Sequence, residues 1–144
     1  MPPTLKRDAL PKNIVAQILL GEAAGEGEEG LRFVRDVLAN RAKAQGKSLE
    51  EVATAPQQFS ASARPDLAEF YAKQPTAIQV LAQQLVNEAR QPRFEPQYPD
   101  VQHYVTSDLW GKRKTLPSTH WLHRMDPVQT VGHHVALKER RPRR

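Results

Sequence analysis

The thirteen residues ILLGEAAGEGEEG, at 18–30, place four glutamates and four glycines directly after an apolar run. We expect the preceding helix to end near 21–25, which puts Glu22 in or beside its last turn. The negative end of the helix dipole disfavours an ionised carboxylate there, and the apolar and small neighbours at 19, 20, 23 and 24 remove water from it. Both effects raise the pKa of Glu22, and a glutamic acid that keeps its proton near neutral pH is a competent general acid.

The glycines at 21, 25 and 27 carry no side chains, so a bulky substrate can approach the backbone closely. This pattern is typical of a glycosidase-like acid at the floor of a groove. The same spacing also fits a glycine-punctuated helix end whose glutamates only face water. The spacing of these residues alone leaves both interpretations open.

Length and composition indicate a single globular domain with a real core, because 144 residues with 39% hydrophobic and 26% charged side chains can bury one. The absence of cysteine excludes disulfides, thiolate zinc sites and cysteine nucleophiles. No apolar run approaches the ~20 residues of a membrane span. The N-terminal residues lack the features of a signal peptide, so we expect synthesis in the cytoplasm and another route to any outside target.

Positive charge is concentrated at the C-terminus of the sequence. The segment KERRPRR, at 138–144, holds five basic residues and one acid, so the rest of the chain is close to +1 of the net +5. We assign 1–137 to one catalytic domain and 138–144 to a basic tail. The tail favours attraction to a polyanionic surface, such as nucleic acid, anionic lipid, lipopolysaccharide or cell-wall polymer, although a solvated, frayed end explains it equally well.

Apolar periodicity and helix-end residues predict a mainly α chain with a small C-terminal β element, an α+β fold class. Helices are expected at about 11–24, 28–44, 49–54, 66–73 and 76–90. Three prolines within QPRFEPQYPD rule out a regular element at 91–100. Short strands are expected at 101–107 and 131–138, and a loop at 109–118. If the two strands pair, the loop between them borders a cleft.

Several motifs together resemble the cell-wall hydrolases related to the spore-cortex-lytic enzyme SleB. The resemblance covers roughly residues 12–137, in the family's order. The matching positions are Glu22-Ala23, Gly25-Glu26, Gly30, Asn40-Arg41, Gln58-Phe59-Ser60, His103-Tyr104-Val105, Pro117 to Trp121, and Gly132-His133-His134-Val135. The sequence departs from the family in having Ala24 where an arginine is frequent and in lacking a glycine-rich run before the tyrosine strand.

The resemblance implies a lysozyme-like helical fold that acts on peptidoglycan glycan strands, commonly as a lytic transglycosylase without a cofactor. Glu22 would then protonate the glycosidic oxygen between N-acetylmuramic acid and N-acetylglucosamine. As a base, Glu22 would next help the muramoyl 6-hydroxyl attack its own anomeric carbon, giving a 1,6-anhydro product. Hydrolysis with inversion would instead need a second carboxylate about 6.5–9.5 Å away. Glu26 is the nearest candidate, and we expect it to position substrate.

Five further residues are candidates for substrate binding. Aromatic rings stack on sugar faces but also fill cores, so Tyr104 and Trp121 have both interpretations. Gln58 and Ser60 follow a short helix and either cap a turn or hydrogen bond acetamido groups of the substrate. His133 is expected to be a substrate-contacting or ordinary polar histidine.

A zinc site is the competing interpretation of the five histidines, with Asp126 as a carboxylate ligand. However, His133 and His134 would point to opposite faces of a strand, and no HExxH motif is present. We therefore expect no metal. Asn40 and Arg41, near the end of the second helix, are expected to be structural, with Arg41 satisfying backbone carbonyls.

The short format without a signal peptide resembles a phage endolysin, a monomer that a holin would release and whose tail would contact lipopolysaccharide or the anionic inner leaflet. Two alternatives of other classes remain. One is a non-catalytic basic module that binds nucleic acid or a polyanionic envelope surface, in which Glu22 is dispensable. The other is a zinc peptidase that cuts the stem peptide and loses activity in chelator.

Overall fold

Helices dominate the computed structural model, which describes residues 11–56 and 59–140. The five main helices are α1 (Ile14–Ala23), α2 (Gly27–Gln45), α3 (Leu49–Thr54), α4 (Leu67–Ala72) and α5 (Thr76–Ala89). Three strands follow in the last part of the described chain, with one more short helix between the first two. They are β1 (His103–Thr106), α6 (Ser107–Gly111), β2 (Met125–Val131) and β3 (His134–Glu139).

Helix α1 is the centre of the core. Every residue from Ile14 to Leu20 is buried, because α2, α3, α4 and α5 all contact this helix. A helix that is apolar around its whole circumference is stable only when it is enclosed by other elements. The buried position of α1 fixes the direction in which its last turn, with Glu22, projects.

The five helices predicted from the sequence are confirmed, with ends that shift by a few residues. Helix α2 ends at Gly46, which takes a left-handed conformation with φ of +64° and whose N–H bonds back to the helix. At α3, the Ser48 hydroxyl accepts a hydrogen bond from the Glu51 N–H at 3.1 Å, as the capping-box pattern predicts.

A row of polar side chains on α2 holds the irregular segment that precedes β1. The buried Asp36 carboxylate accepts a hydrogen bond from the Tyr98 N–H at 3.0 Å. Asn40 Nδ2 donates to the carbonyls of Tyr98 and Val101 at 2.8 and 2.9 Å. Arg41 Nε donates to the Gln102 carbonyl at 2.6 Å, directly before β1 begins. The structural role predicted for Asn40 is thus confirmed, and the carbonyl that Arg41 satisfies belongs to this segment.

The strands form one antiparallel sheet in the order β1-β3-β2. The pairing of the two predicted strands is confirmed, since Tyr104 lies opposite Ala136 in the register of β1 with β3. Strand β2 was missed because Pro127 and five consecutive exposed residues hide the alternation of a strand. Its ladder is irregular between Pro127 and Gln129, which accommodates the missing proline N–H.

A two-residue turn, Gly132-His133, joins β2 to β3, with φ of +57° at Gly132. A glycine at the first position of such a turn suits the twist of antiparallel strands. The strand predicted at 131–138 is confirmed only from His134 onward, because Val131 ends β2 and Gly132-His133 form the turn. His133 and His134 are consequently a turn residue and a strand residue, not neighbours on two faces of one strand.

The loop predicted at 109–118 contains regular structure in its first half. Thr106 Oγ1 accepts a hydrogen bond from the Leu109 N–H at 3.2 Å and caps α6, and a 3-10 turn follows at Arg113–Thr115. Trp121 opens the 3-10 helix Trp121–Arg124. Within the described ranges, no helix is both long and apolar enough to cross a membrane.

The C-terminal boundary differs from the one expected. Lys138 and Glu139, which sequence analysis assigned to the basic tail, are the last residues of β3 and pair with Asp126 and Met125. Arg140 N–H then donates to the Arg124 carbonyl at 2.9 Å. Residues 141–144, which carry most of the tail's charge, lie outside the described residues.

Replacing Asn40 with alanine tests the link between α2 and the irregular segment. Two partly buried carbonyls would lose their donor, so we expect Asn40→Ala to lower the free energy of unfolding by about 2 kcal/mol. Asn87→Ala is the matched control, since Asn87 is exposed on α5 and accepts one exposed side-chain hydrogen bond from Gln83. Urea unfolding measures both variants, and equal midpoints would contradict the role given to Asn40.

Candidate active site

Glu22 lies in the last turn of α1 and is half-buried, as predicted. The Ser60 hydroxyl donates to Glu22 Oε2 at 3.3 Å, and the backbone N–H groups of Ser60 and Ala61 also bond to the carboxylate. Burial raises the pKa of Glu22 above its ordinary value of 4.5, and this effect outweighs the lowering by the hydrogen bonds and by the positive charge of Arg41. The side chain therefore holds its proton to a higher pH than an exposed glutamate does.

The close approach of residues 60–63 to α1 depends on Gly21. A Cβ at Gly21 would lie 2.7 Å from Ala61 Cβ and 3.0 Å from Leu67 Cδ1, which is too close for normal packing. The 3-10 helix Ser60–Ala63 can consequently lie directly on α1, with its first two N–H groups at the Glu22 carboxylate. A glycine is needed at position 21 because any side chain there would occupy the space of the Ser60–Ala63 segment.

Arg41 and Tyr104 complete the surroundings of Glu22. The Arg41 guanidinium lies 4.8 Å from the centroid of the Phe59 ring, and burial lowers the pKa of Arg41. Burial, followed by the charge of Glu22, raises the pKa of Tyr104 far above its usual range, so its hydroxyl stays neutral. The carboxylate thus has one cation and one neutral hydroxyl among its electrostatic neighbours.

A cleft of about 690 Å³ adjoins this group. Arg41 and Tyr104 belong to its lining, so the cleft begins beside Glu22, although Glu22 does not itself line it. Trp121 also lines the cleft and is 38% exposed. Its ring stacks on His120 with centroids 5.9 Å apart and lies 6.0 Å from His103. An exposed indole in a polar cleft is suited to stack on a sugar ring.

Glu26 has a structural contact that sequence analysis did not anticipate. Its Oε2 accepts a hydrogen bond from the His133 N–H at 2.9 Å, which ties the turn between β2 and β3 to the joint between α1 and α2. A Cβ at Gly132 would overlap this oxygen, and a Cβ at Gly30 would overlap the Cβ of Glu26. The Glu26 side chain therefore packs against both glycines, and its carboxylate is bound to backbone.

The two adjacent histidines differ in their surroundings. His133 is exposed and makes its contact with Glu26 through its backbone. His134 is buried, and its ring meets the Tyr104 ring edge-on with centroids 4.8 Å apart. Among the described residues, its Nδ1 has no hydrogen-bond partner, and burial lowers the pKa of the ring. Sequence analysis selected His133, whereas His134 is the histidine that supports Tyr104.

The predicted site residues divide into three groups in the structure. Ser60 contacts Glu22, and Tyr104 and Trp121 line the cleft. Glu26 and His133 bond to each other at the hairpin turn. Gln58 lies outside the described residues. Arg41 is the main addition, and its only sequence signal was its place in the Asn-Arg pair. Within the described part of the chain, no three metal-ligating side chains come together.

Solved structures of SleB catalytic domains share this fold. The catalytic domain of the germination-specific lytic transglycosylase SleB from Bacillus anthracis aligns with a TM-score of 0.60 and 18% identity over 92% of this chain and 100% of its own. The catalytic domain of the Bacillus cereus SleB protein aligns with a TM-score of 0.57 and 18% identity over 93% and 99%. No family model and no curated protein matches the chain. The predicted lysozyme-like fold with a small β element is thus confirmed: the chain has the fold of the SleB catalytic domains.

Proposed function

We propose that this protein cleaves peptidoglycan glycan strands as a glycosidase, with Glu22 as its general acid. The observation that carries the proposal is the Glu22 carboxyl group, half-buried with a raised pKa and interacting with Arg41 and Tyr104, two residues that line a polar cleft. The fold supports it, because one structural neighbour is described as a lytic transglycosylase. Groups of this kind donate protons to glycosidic oxygens.

In the first step, protonated Glu22 gives its proton to the oxygen between N-acetylmuramic acid and N-acetylglucosamine. The bond from that oxygen to the muramoyl anomeric carbon breaks, and positive charge develops on the sugar ring. The Glu22 carboxylate formed in this step is stabilised by the N–H groups of Ser60 and Ala61 and by the Arg41 cation.

In the second step, Glu22 acts as the base. It takes the proton of the muramoyl 6-hydroxyl while that oxygen attacks the anomeric carbon, which closes a 1,6-anhydro ring and restores the protonated acid. This path needs no second catalytic carboxylate. The contact between Glu26 and the His133 N–H supports it over hydrolysis, because a carboxylate bound to backbone is poorly placed to activate water.

Digestion of purified peptidoglycan, with products identified by mass spectrometry, tests the proposal. We expect wild type to release 1,6-anhydro-muropeptides in the presence of chelator and Glu22→Gln to lose at least ~100-fold in rate, the contribution typical of a general acid. Glu69→Gln is the control, since Glu69 is exposed on α4, and it should cleave at the wild-type rate.

Each other outcome has a distinct meaning. Products with ordinary reducing ends would show hydrolysis and turn attention to Glu26 as the second carboxylate. If Glu22→Gln cleaved as well as wild type, the assignment of Glu22 would be wrong. No cleavage by any variant would favour the non-catalytic module that binds a polyanionic surface through its basic tail.

The raised pKa of Glu22 also predicts a pH-dependent stability difference. Because this pKa is higher in the folded than in the unfolded chain, the folded state is favoured at low pH and loses that advantage as pH rises through the folded pKa. Glu22→Gln removes the ionisation, so its Tm relative to wild type should increase between about pH 4 and pH 8. Calorimetry over this range measures the difference, with Glu69→Gln as the control. A constant difference would mean that Glu22 is not destabilised in its charged form.

Gly21→Ala tests the packing that brings residues 60–63 to Glu22. The added methyl group should cost about 1–3 kcal/mol of stability and push Ser60 and Ala61 away, lowering kcat about tenfold or more. Loss of their hydrogen bonds should also raise the pKa of Glu22 further, measured by carboxyl carbon NMR. Gly111→Ala is the control, because a Cβ there meets nothing within 4 Å. An unchanged Glu22 pKa in Gly21→Ala would contradict this account.

A further inference from the structure

The cleft beside Arg41 and Tyr104 lies at one end of the sheet. The sheet has the strand order β1-β3-β2. The first residues of β1 and β2 lie at the same end of this sheet as the last residues of β3, since His103 pairs with Leu137 and Met125 with Glu139. The 3-10 helix Trp121–Arg124 directly precedes β2 at this end of the sheet, and Arg140 directly follows β3. Side chains that are distant in sequence thus come to one wall of the cleft.

This cleft has an excess of positive charge. Three arginines line it, Arg41, Arg124 and Arg140, against one acidic residue, Glu139. Arg124 is exposed, and Arg140 forms an exposed ion pair with Asp126, Nε to Oδ1 at 3.1 Å. An exposed pair of this kind contributes little stability, so its guanidinium remains open to exchange for another carboxylate. Arginine is well suited to bind carboxylates because its planar group donates two parallel hydrogen bonds.

The same cleft is also lined by the aromatic side chain of Trp121. Trp121 stands between His120 and His103, and it is one of the few large apolar side chains exposed among the described residues. One wall therefore combines a ring suited to a sugar face with arginines suited to carboxylates. A ligand that uses both features would present a sugar face to Trp121 and a negative charge to the arginines, and Arg41 and Tyr104 connect the cleft with Glu22.

We infer that this cleft binds the muramic acid unit together with its stem peptide, with Trp121 on the sugar and Arg124 and Arg140 on the peptide carboxylates. The inference rests on the proposed function and names the form of substrate that the site prefers: glycan that still bears anionic stem peptides, rather than bare glycan. In the glycan strand, the stem peptide is attached through the lactyl group at C3 of the same muramic acid whose anomeric C1 bond Glu22 would cleave. A cationic cleft adjoining Glu22 is placed to receive it.

Equilibrium binding to the full-length Glu22→Gln protein tests the inference without turnover. The probes are a soluble disaccharide-tripeptide and the same disaccharide without peptide. We expect the peptide-bearing probe to bind about tenfold tighter, and this preference to shrink as salt is raised from about 0.05 to 0.5 M.

Substitutions at the cationic wall should remove the preference. Arg124→Gln, combined with Glu22→Gln, is expected to bring the affinity for the peptide-bearing probe close to that for the bare disaccharide, and adding Arg140→Gln should complete the loss. Lys73→Gln is the control for loss of an exposed cation away from the cleft, and it should keep the full preference. Thermal unfolding of each variant shows whether its fold is intact, and Arg124→Gln alone breaks no ion pair of the Arg140 side chain.

The inference and the proposed function fail in different ways. If wild type cleaves peptidoglycan but Glu22→Gln binds both probes equally, the inference is overturned and the function stands. A preference that survives both arginine substitutions also overturns it. If wild type cleaves nothing while the tripeptide probe binds through Arg124, the cleft is a stem-peptide site as inferred and the glycosidase proposal is the one that fails.

Discussion

The fold depends on a short row of polar side chains along α2. Asp36, Asn40 and Arg41 bind the backbone of residues 98–102, a segment that has no regular hydrogen-bond partners of its own. These bonds fix the orientation in which the chain begins β1. As a result, Tyr104 lies near Glu22, and the end of the sheet that contains His103 borders the cleft. Without these bonds, this segment would lose its backbone partners, and the sheet would be held to the helices only by apolar packing of residues such as Val131 and Ala136 and by the bond between Glu26 and the His133 N–H.

The pKa of Glu22 is determined by two opposing effects, because burial raises it and hydrogen bonds lower it. Burial alone would raise its pKa further and make Glu22 a weaker proton donor in the proposed first step. Two backbone N–H groups, one hydroxyl and the Arg41 charge counteract burial and moderate the rise. A group that must both donate and accept a proton in one cycle needs this intermediate position. The supporting donors come from the Ser60–Ala63 turn, which can approach only because residue 21 has no side chain.

The sequence predicted the helices and the half-buried position of Glu22 in the last turn of α1, because apolar spacing and glycine positions act locally. Strand β2 was not predictable by the same reasoning, since Pro127 and its exposed residues lack any alternation, and only pairing with β3 makes it a strand. The roles of Arg41 and His134 also depend on contacts between distant segments. Arg41 reaches Gln102, and the His134 ring packs against the Tyr104 ring, whereas the sequence pattern led to the choice of His133.

The packing of the Glu26 side chain against Gly30 and Gly132 restricts which substitutions these positions tolerate. Positions 26, 30 and 132 share one small volume. The Glu26 Cβ occupies the space that a Cβ at Gly30 would need, and Glu26 Oε2 occupies the space that a Cβ at Gly132 would need. No member of this set can change by itself without a steric conflict or the loss of the bond to the His133 N–H. Gly30 should therefore persist in descendants of this chain wherever residue 26 keeps a Cβ. Gly132 should persist even where Glu26 is lost, because its φ of +57° disfavours any residue with a side chain.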